Sequence, residues 1–159
     1  MLNKCHQSVY LQKRVLAMKR FWILLVLLQL PGLIFGGDEN GIVGKWADHK
    51  GEAKVMIYKK GEQFFGKLYW LKDPYDKDGN VRKDENNPEP EKRDRELEGL
   101  EILRNFSYQN GVWTGGKIYD PRSGKTYDCK LSLSHDGKLS IRGYLGFSFI
   151  GKTETMVRL

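Results

Sequence analysis

Residues Lys125 to Ser134 read Lys-Thr-Tyr-Asp-Cys-Lys-Leu-Ser-Leu-Ser, and their alternation decides the fold. Successive side chains of a strand point to opposite faces. Tyr127, Cys129, Leu131 and Leu133 therefore share one side, with Asp128, Lys130, Ser132 and Ser134 on the other. His135-Asp136-Gly137 then supplies the polar and glycine residues of a reverse turn. One dry face and one wet face is the pattern of an antiparallel sheet covered on a single side.

The same pattern extends in both directions from this stretch. Upstream lie Ile42 to Ala47, Glu52 to Lys59, Gln63 to Leu71, Leu100 to Phe106 and Val112 to Tyr119; downstream lie Lys138 to Leu145 and Lys152 to Arg158. In the second run Ala53, Val55 and Ile57 share a face, and in the third Phe64, Gly66, Leu68 and Trp70 alternate with Phe65, Lys67, Tyr69 and Leu71. The sum is an all-β domain of about eight strands. No helix is long enough to cover the dry face, so the sheet must close into a barrel or pair with a second sheet. The one long connection, Lys72 to Glu98, is rich in charge and proline. It predicts a short helix from Pro88 to Leu97 with Asn87 as its cap, placed over one mouth of the barrel.

The domain begins at residue 37. Residues 1–36 contain no acid and read as a targeting leader: a basic Lys19-Arg20, an apolar run from Phe21 to Leu30, a Pro31-Gly32 break and a small Gly36 at the cut. The apolar run is short of the roughly 20 residues of a membrane anchor, so no membrane span is expected after cleavage. The seventeen residues before Met18 are surplus to such a leader; the simplest account makes Met18 the true start, and the alternative is a long n-region. Cleavage takes away five of the 27 basic residues and none of the 20 acids, leaving 22 against 20, or a net charge of +2. A balanced surface of that kind excludes nucleic acid as a partner. Cleavage also removes Cys5, so Cys129 is the single thiol of the domain, expected inside and unable to form an intramolecular disulfide.

Several short stretches together resemble one family: Gly44-Lys45-Trp46, Leu68-Tyr69-Trp70-Leu71 with Asp76-Lys77-Asp78-Gly79, Asp84-Glu85-Asn86-Asn87-Pro88, Gly99-Leu100-Glu101-Ile102-Leu103, Gly115-Gly116-Lys117-Ile118-Tyr119-Asp120-Pro121 and Arg142-Gly143-Tyr144. Residues 37–159 resemble, over nearly their whole length, the exported bacterial family called domain of unknown function 2147, whose fold is similar to that of the lipocalins. The resemblance implies a calycin-type barrel in which Trp46 closes the floor and either Arg142 or Arg158 lies across it. It implies no substrate and no reaction. Glu96 departs from the family pattern, which favours proline there.

Motifs that carry chemistry elsewhere find the wrong setting here. Gly146 to Thr153 spells a phosphate loop, but the residues after it favour a strand, whereas that loop must open a helix. Asp76-Lys-Asp78-Gly79-Asn80 has Pro74 where a calcium loop starts with an acid, and reads as a turn. His49 and His135 sit in turns, and Cys129 has Tyr127 and Leu131 for neighbours on its face, so neither offers an activated nucleophile. A carboxylate pair of Glu101 with Asp120 or Asp128 would depend on the fold bringing them together. Phe147, Phe149 and Ile150 either return to the core or line a rim.

The sequence thus predicts a secreted or periplasmic binding protein, with no catalytic group, cofactor or metal, that holds a small hydrophobic molecule such as a fatty acid. Phe64, Leu68, Trp70, Tyr127, Leu131, Leu133 and Ile141 are the expected apolar walls, and Lys67, Tyr69, Arg93 and Arg95 the polar groups at the mouth. The rival reading is a filled barrel that docks an envelope protein, and a hydrolase comes third.

Overall fold

The computed structural model describes residues 37–146 and 151–159. The leader expectation over residues 1–36 and the placement of Phe147, Phe149 and Ile150 lie outside them. Eight strands succeed one another: β1 (Gly44–Asp48), β2 (Ala53–Lys60), β3 (Gln63–Leu71), β4 (Glu101–Gln109), β5 (Val112–Asp120), β6 (Lys125–Leu133), β7 (Leu139–Tyr144) and β8 (Gly151–Arg158). Each pairs antiparallel with the next, and β8 returns to β1, so the sheet closes into a barrel in strict sequence order. Closure is the expected solution for a sheet whose dry face has no helix to cover it.

Directly opposed residues of an antiparallel pair share a face, so the register shows which way each side chain points. Trp113 faces Leu131, Gly116 faces Cys129, Ile118 faces Tyr127, and Leu131 faces Ile141. These face inward, and the buried core runs through Trp46, Val55, Ile57, Phe64, Leu103, Phe106, Trp113, Cys129, Leu131 and Met156. The glycine at 116 is required by this packing: a Cβ there would lie 2.4 Å from the ring of Phe106, which rests against the bare backbone.

Strict alternation fails at bulges, where an extra residue turns part of a strand over. Lys54 pairs with Trp70 while the adjacent Val55 pairs with Leu68, so Tyr69 and Trp70 together face one residue. Lys54 alternates with inward Val55, and Trp70 consequently joins Tyr69 on the outer wall instead of accompanying Leu68 inside. On β4, Gly66 opposite Leu103 and Phe64 opposite Phe106 leave an extra residue at Asn105, whose φ of 61° is one that asparagine tolerates. The bulge lets Leu103 and Phe106, three apart, both be buried.

The turns divide the barrel ends unambiguously. One end is crossed by the 3-10 turn η1 (Glu39–Ile42), which precedes β1; the opposite end carries the long connection from β3 to β4. That connection holds only a 3-10 turn, η2 (Pro90–Lys92), where a helix from Pro88 to Leu97 was expected. Two features hold it off the helical path. Glu89 has an extended backbone, φ −91° and ψ 109°, although Asn87 accepts from its amide as a cap would, and a bridge between Lys83 and Glu96 keeps the segment extended at its ends. A small hairpin precedes it, with Tyr75 opposite Val81. At its tip the Asp76 carboxylate accepts from the amides of Asp78 and Asn80, contacts that hold it below the usual carboxylate range, the Asn80 amide foremost.

Candidate functional site

The floor is built by the first and last residues of the barrel. Trp46 is fully buried and donates through Nε1 to the Ile42 carbonyl at 2.8 Å. The Arg158 guanidinium lies 4.3 Å from the centre of its ring and donates to the carbonyls of Val43, at 3.0 Å, and Gly41. A planar cation can stack on an aromatic face and still direct its N–H groups outward. Trp113 Nε1 donates to the Glu39 carbonyl at 2.9 Å, and Lys59 pairs with the Glu39 carboxylate at 2.7 Å. Arg158 is thus the arginine across the floor. Arg142 faces Thr153 on the outer wall and donates to its hydroxyl at 2.8 Å.

Above the floor the interior changes character. Inward residues of the closed half, such as Phe64, Phe106, Trp113 and Leu139, are at most 2% exposed. Inward residues nearer the connection, Ala53, Leu71, Ile118, Tyr127 and Gly143, are only partly buried, although Ala53, Leu71 and Ile118 pack against the core. Enclosure of the inner wall therefore falls off from the aromatic layer toward the mouth. The register also turns Glu154 inward, opposite Ile141, and Lys152 opposite Gly143. Lys152 donates to Glu154 at 2.7 Å and holds its carboxyl below the ordinary value. The result is an apolar cup with one charged pair on its β8 side.

The connection is fastened beside this cup by a buried polar cluster. Asp84 is fully buried and accepts from the Tyr119 hydroxyl, from Asn87 Nδ2 at 2.7 Å and from Arg95 Nη2 at 2.8 Å. Arg93 Nε donates to the Asn87 carbonyl at 2.8 Å. Asn86 Nδ2 reaches the Arg122 carbonyl at 3.1 Å, and Gly124 leaves no room there for a side chain, since a Cβ would lie 1.9 Å from the Asn86 oxygen. The connection is thereby docked on the β5–β6 turn.

Of the expected walls, Phe64, Leu68, Leu131 and Ile141 are buried inside and Tyr127 lines the cup. Leu133 sits at the closed end, 36% exposed. Trp70 is on the outer wall because of the β3 bulge. The expected polar mouth is distributed elsewhere: Lys67 faces Met56 and Glu101 outside, the Tyr69 ring lies under Lys45 outside, and Arg93 and Arg95 are spent on the connection. Ala53, Leu71, Ile118 and Glu154 take their places. Ile118 and Ala53 were on legible alternating faces, and Glu154 shares its parity with buried Met156; Ala53 was passed over for its size and Glu154 for its charge, whereas Ile118 is the same residue type as the expected Ile141. Lys152 and Thr153 of the apparent phosphate loop lie within β8, with no helix beginning there.

Cys129 is fully buried, and burial pushes its thiol up to about 12. Burial, then the hydrogen bond to a carboxylate, likewise raises Tyr58 beside Glu101 and Tyr119 beside Asp84 to about 12. In the unfolded chain these groups titrate near roughly 8.5 and 10. The folded state thus holds their protons more tightly; that stabilisation is complete below the unfolded values and is lost as pH rises through them toward 12. The urea midpoint is expected to be flat up to about pH 8 and to fall steadily between about pH 9 and 11, with Ellman's reagent reacting slowly at neutral pH until denaturant is added. A midpoint unchanged at pH 10.5, or rapid native labelling, would contradict the buried placement.

Residues 44–158 match the model of a family described as uncharacterized protein conserved in bacteria, DUF2147. The chain belongs to this family. Among solved structures, the DUF2147 chain is similar to protein HP1028 from Helicobacter pylori, which is described as belonging to the lipocalin family, with 26% identity over 74% of this chain and 82% of that one and a TM-score of 0.62. No curated protein matches the sequence. The DUF2147 barrel is therefore lipocalin-like, a fold associated in general with holding ligands, and its tryptophan and arginine floor is as the resemblance implied.

Proposed function

We propose that this protein is an exported binding protein that takes a small apolar molecule, or the apolar end of an elongated one such as a fatty acid, into the mouth half of its barrel. The observation that carries the reading is the contrast along the inner wall: sealed against the floor, open to solvent around Ala53, Leu71, Ile118 and Tyr127. Apolar area removed from water contributes about 25 cal/mol per Å², so such a wall needs few polar contacts to hold a ligand. Phe64, Phe106 and Trp113 set the depth, and a long chain would leave its remainder at the rim. A barrel of this size can be filled or can hold one small ligand; here the closed half is filled and the other half is the site.

Gentle-ionisation mass spectrometry of protein recovered from its own host, with solvent extraction, is expected to show a bound apolar mass. The unliganded protein should then shift its tryptophan emission and melting temperature with fatty acids or comparable apolar compounds. Ala53→Phe, which occupies the cup from a wall position, should weaken that binding by about tenfold or more, equivalent to about 1.4 kcal/mol, with little change in the urea midpoint. An empty protein that responds to none of these compounds would defeat the reading and favour a module that docks another protein.

Export is supported by the basic, apolar and small-residue order of residues 18–36. Protein recovered from the periplasm or medium is expected to begin at Gly37 on N-terminal sequencing. Recovery of an uncut chain from the cytoplasm would reject this part alone.

A further inference from the structure

The outer wall of β1, β2 and β3 differs from the rest of the barrel. Outward positions on β5 to β8 are mostly polar, among them Lys117, Asp128, Lys130, Arg142 and Thr153, with Tyr144 and Val157 as scattered apolar residues. On β1 to β3 the register instead aligns Lys45, Met56 and Lys67 in one row, with Tyr58 beside Phe65 and Lys54 beside Trp70. Tyr58 and Phe65 stack at 6.0 Å, Lys45 lies 5.3 Å from the centre of the Tyr69 ring, and Lys54 lies 4.2 Å from that of Trp70. The facing acid on β4, Glu101, is already engaged by the Tyr58 hydroxyl at 2.7 Å and Arg104 at 3.1 Å. The wall thus carries half-buried aromatic rings and three lysines, with the facing Glu101 carboxylate already paired.

We infer that this wall is a docking surface for an anionic lipid bilayer. Tryptophan and tyrosine rest at the level of lipid headgroups because one end of each is apolar and the other polar. A lysine stem lies along apolar surface while its ammonium reaches toward phosphate, and a negative membrane surface attracts each such charge. The bulge at Tyr69 and Trp70 is what completes the wall, by bringing a second ring to the outside next to Lys54. Charge complementarity selects the partner, since a neutral apolar partner would gain nothing from Lys45, Lys54 and Lys67. Docking by this wall is independent of whether the cup holds a ligand.

Protein recovered from its host should co-sediment with vesicles containing phosphatidylglycerol, weakly with phosphatidylcholine alone, and should be released by added salt. Lys54→Gln with Lys67→Gln should lower binding more than tenfold, at about fivefold for each lysine, while the urea midpoint stays near that of the parent. Trp46 and Trp113 are buried and Trp22 precedes Gly37, so with protein that begins at Gly37, lipids brominated along their chains should quench emission in the parent and lose most of that quenching in Trp70→Phe. Equal binding to both kinds of vesicle, insensitivity to salt, no binding, or quenching retained in Trp70→Phe would each overturn the proposal. If the double variant fails to fold, the salt titration and Trp70→Phe decide it.

Discussion

Trp46→Ala is expected to lower the free energy of unfolding by about 3 to 5 kcal/mol, the range for removing a large buried aromatic. The side chain is completely enclosed, so its whole area returns to water on unfolding. Three further contacts depend on it. The Ile42 carbonyl loses its indole donor, the Arg158 guanidinium loses the ring beneath it, and η1 loses the surface on which it closes the floor. A smaller side chain cannot be compensated by collapse, because the neighbouring β2 and β8 hold the site open on both sides. Urea unfolding of the parent and the variant measures the difference. A cost below about 1 kcal/mol would mean that the indole does not plug the barrel.

Asp84→Ala is expected to cost about 3 kcal/mol, the low end of the range for removing one partner of a buried ionic cluster. Asp84 is the common acceptor for Tyr119, Asn87 and Arg95. Its loss leaves a buried hydroxyl and a buried amide without it, whereas the Arg95 side chain, 37% exposed, can turn to water, which keeps the figure at the low end. The damage should be directional. Amides of residues 82–99 should exchange with solvent sooner than those of β5 and β6, because the cluster joins the connection to the wall and not the strands to one another. A cost under about 1 kcal/mol with unchanged exchange would show that the connection is held by other contacts. Asp84→Asn, which keeps the shape and one acceptor, should fall between parent and alanine.

The barrel was legible because alternation is a local property. In Lys125 to Ser134 it holds without interruption, and β6 occupies nearly that range. It misled where the strand itself is irregular. Nothing in Leu68-Tyr69-Trp70-Leu71 announces a bulge; it becomes visible only once Lys54 is seen opposite Trp70. The helix expected over Pro88 to Leu97 failed for a related reason. Its residues permit a helix locally, but Arg95 is drawn to a carboxylate eleven positions earlier that is itself buried against Tyr119. The candidate site was half legible: its buried floor came from large apolar residues, while its open part includes Ala53, which size does not single out, and Leu71, which the β3 bulge turns inward.

The seam that closes the barrel has a consequence for how the molecule comes into being. β8 meets β1 through Trp46 opposite Arg158, Ala47 opposite Val157 and Asp48 opposite Met156, and the last amide, that of Leu159, donates to the Lys45 carbonyl at 3.0 Å. Partners so far apart along the chain meet only after everything between them has been made, and joining them is the entropically costly contact of the fold. The seven other strand pairings are between sequence neighbours and can form while synthesis continues, all but β3–β4 as hairpins. A chain still emerging from a ribosome or a translocation pore consequently has neither wall nor floor complete. It stays an open ribbon, its indole at position 46 uncovered, until Arg158 and Leu159 are free.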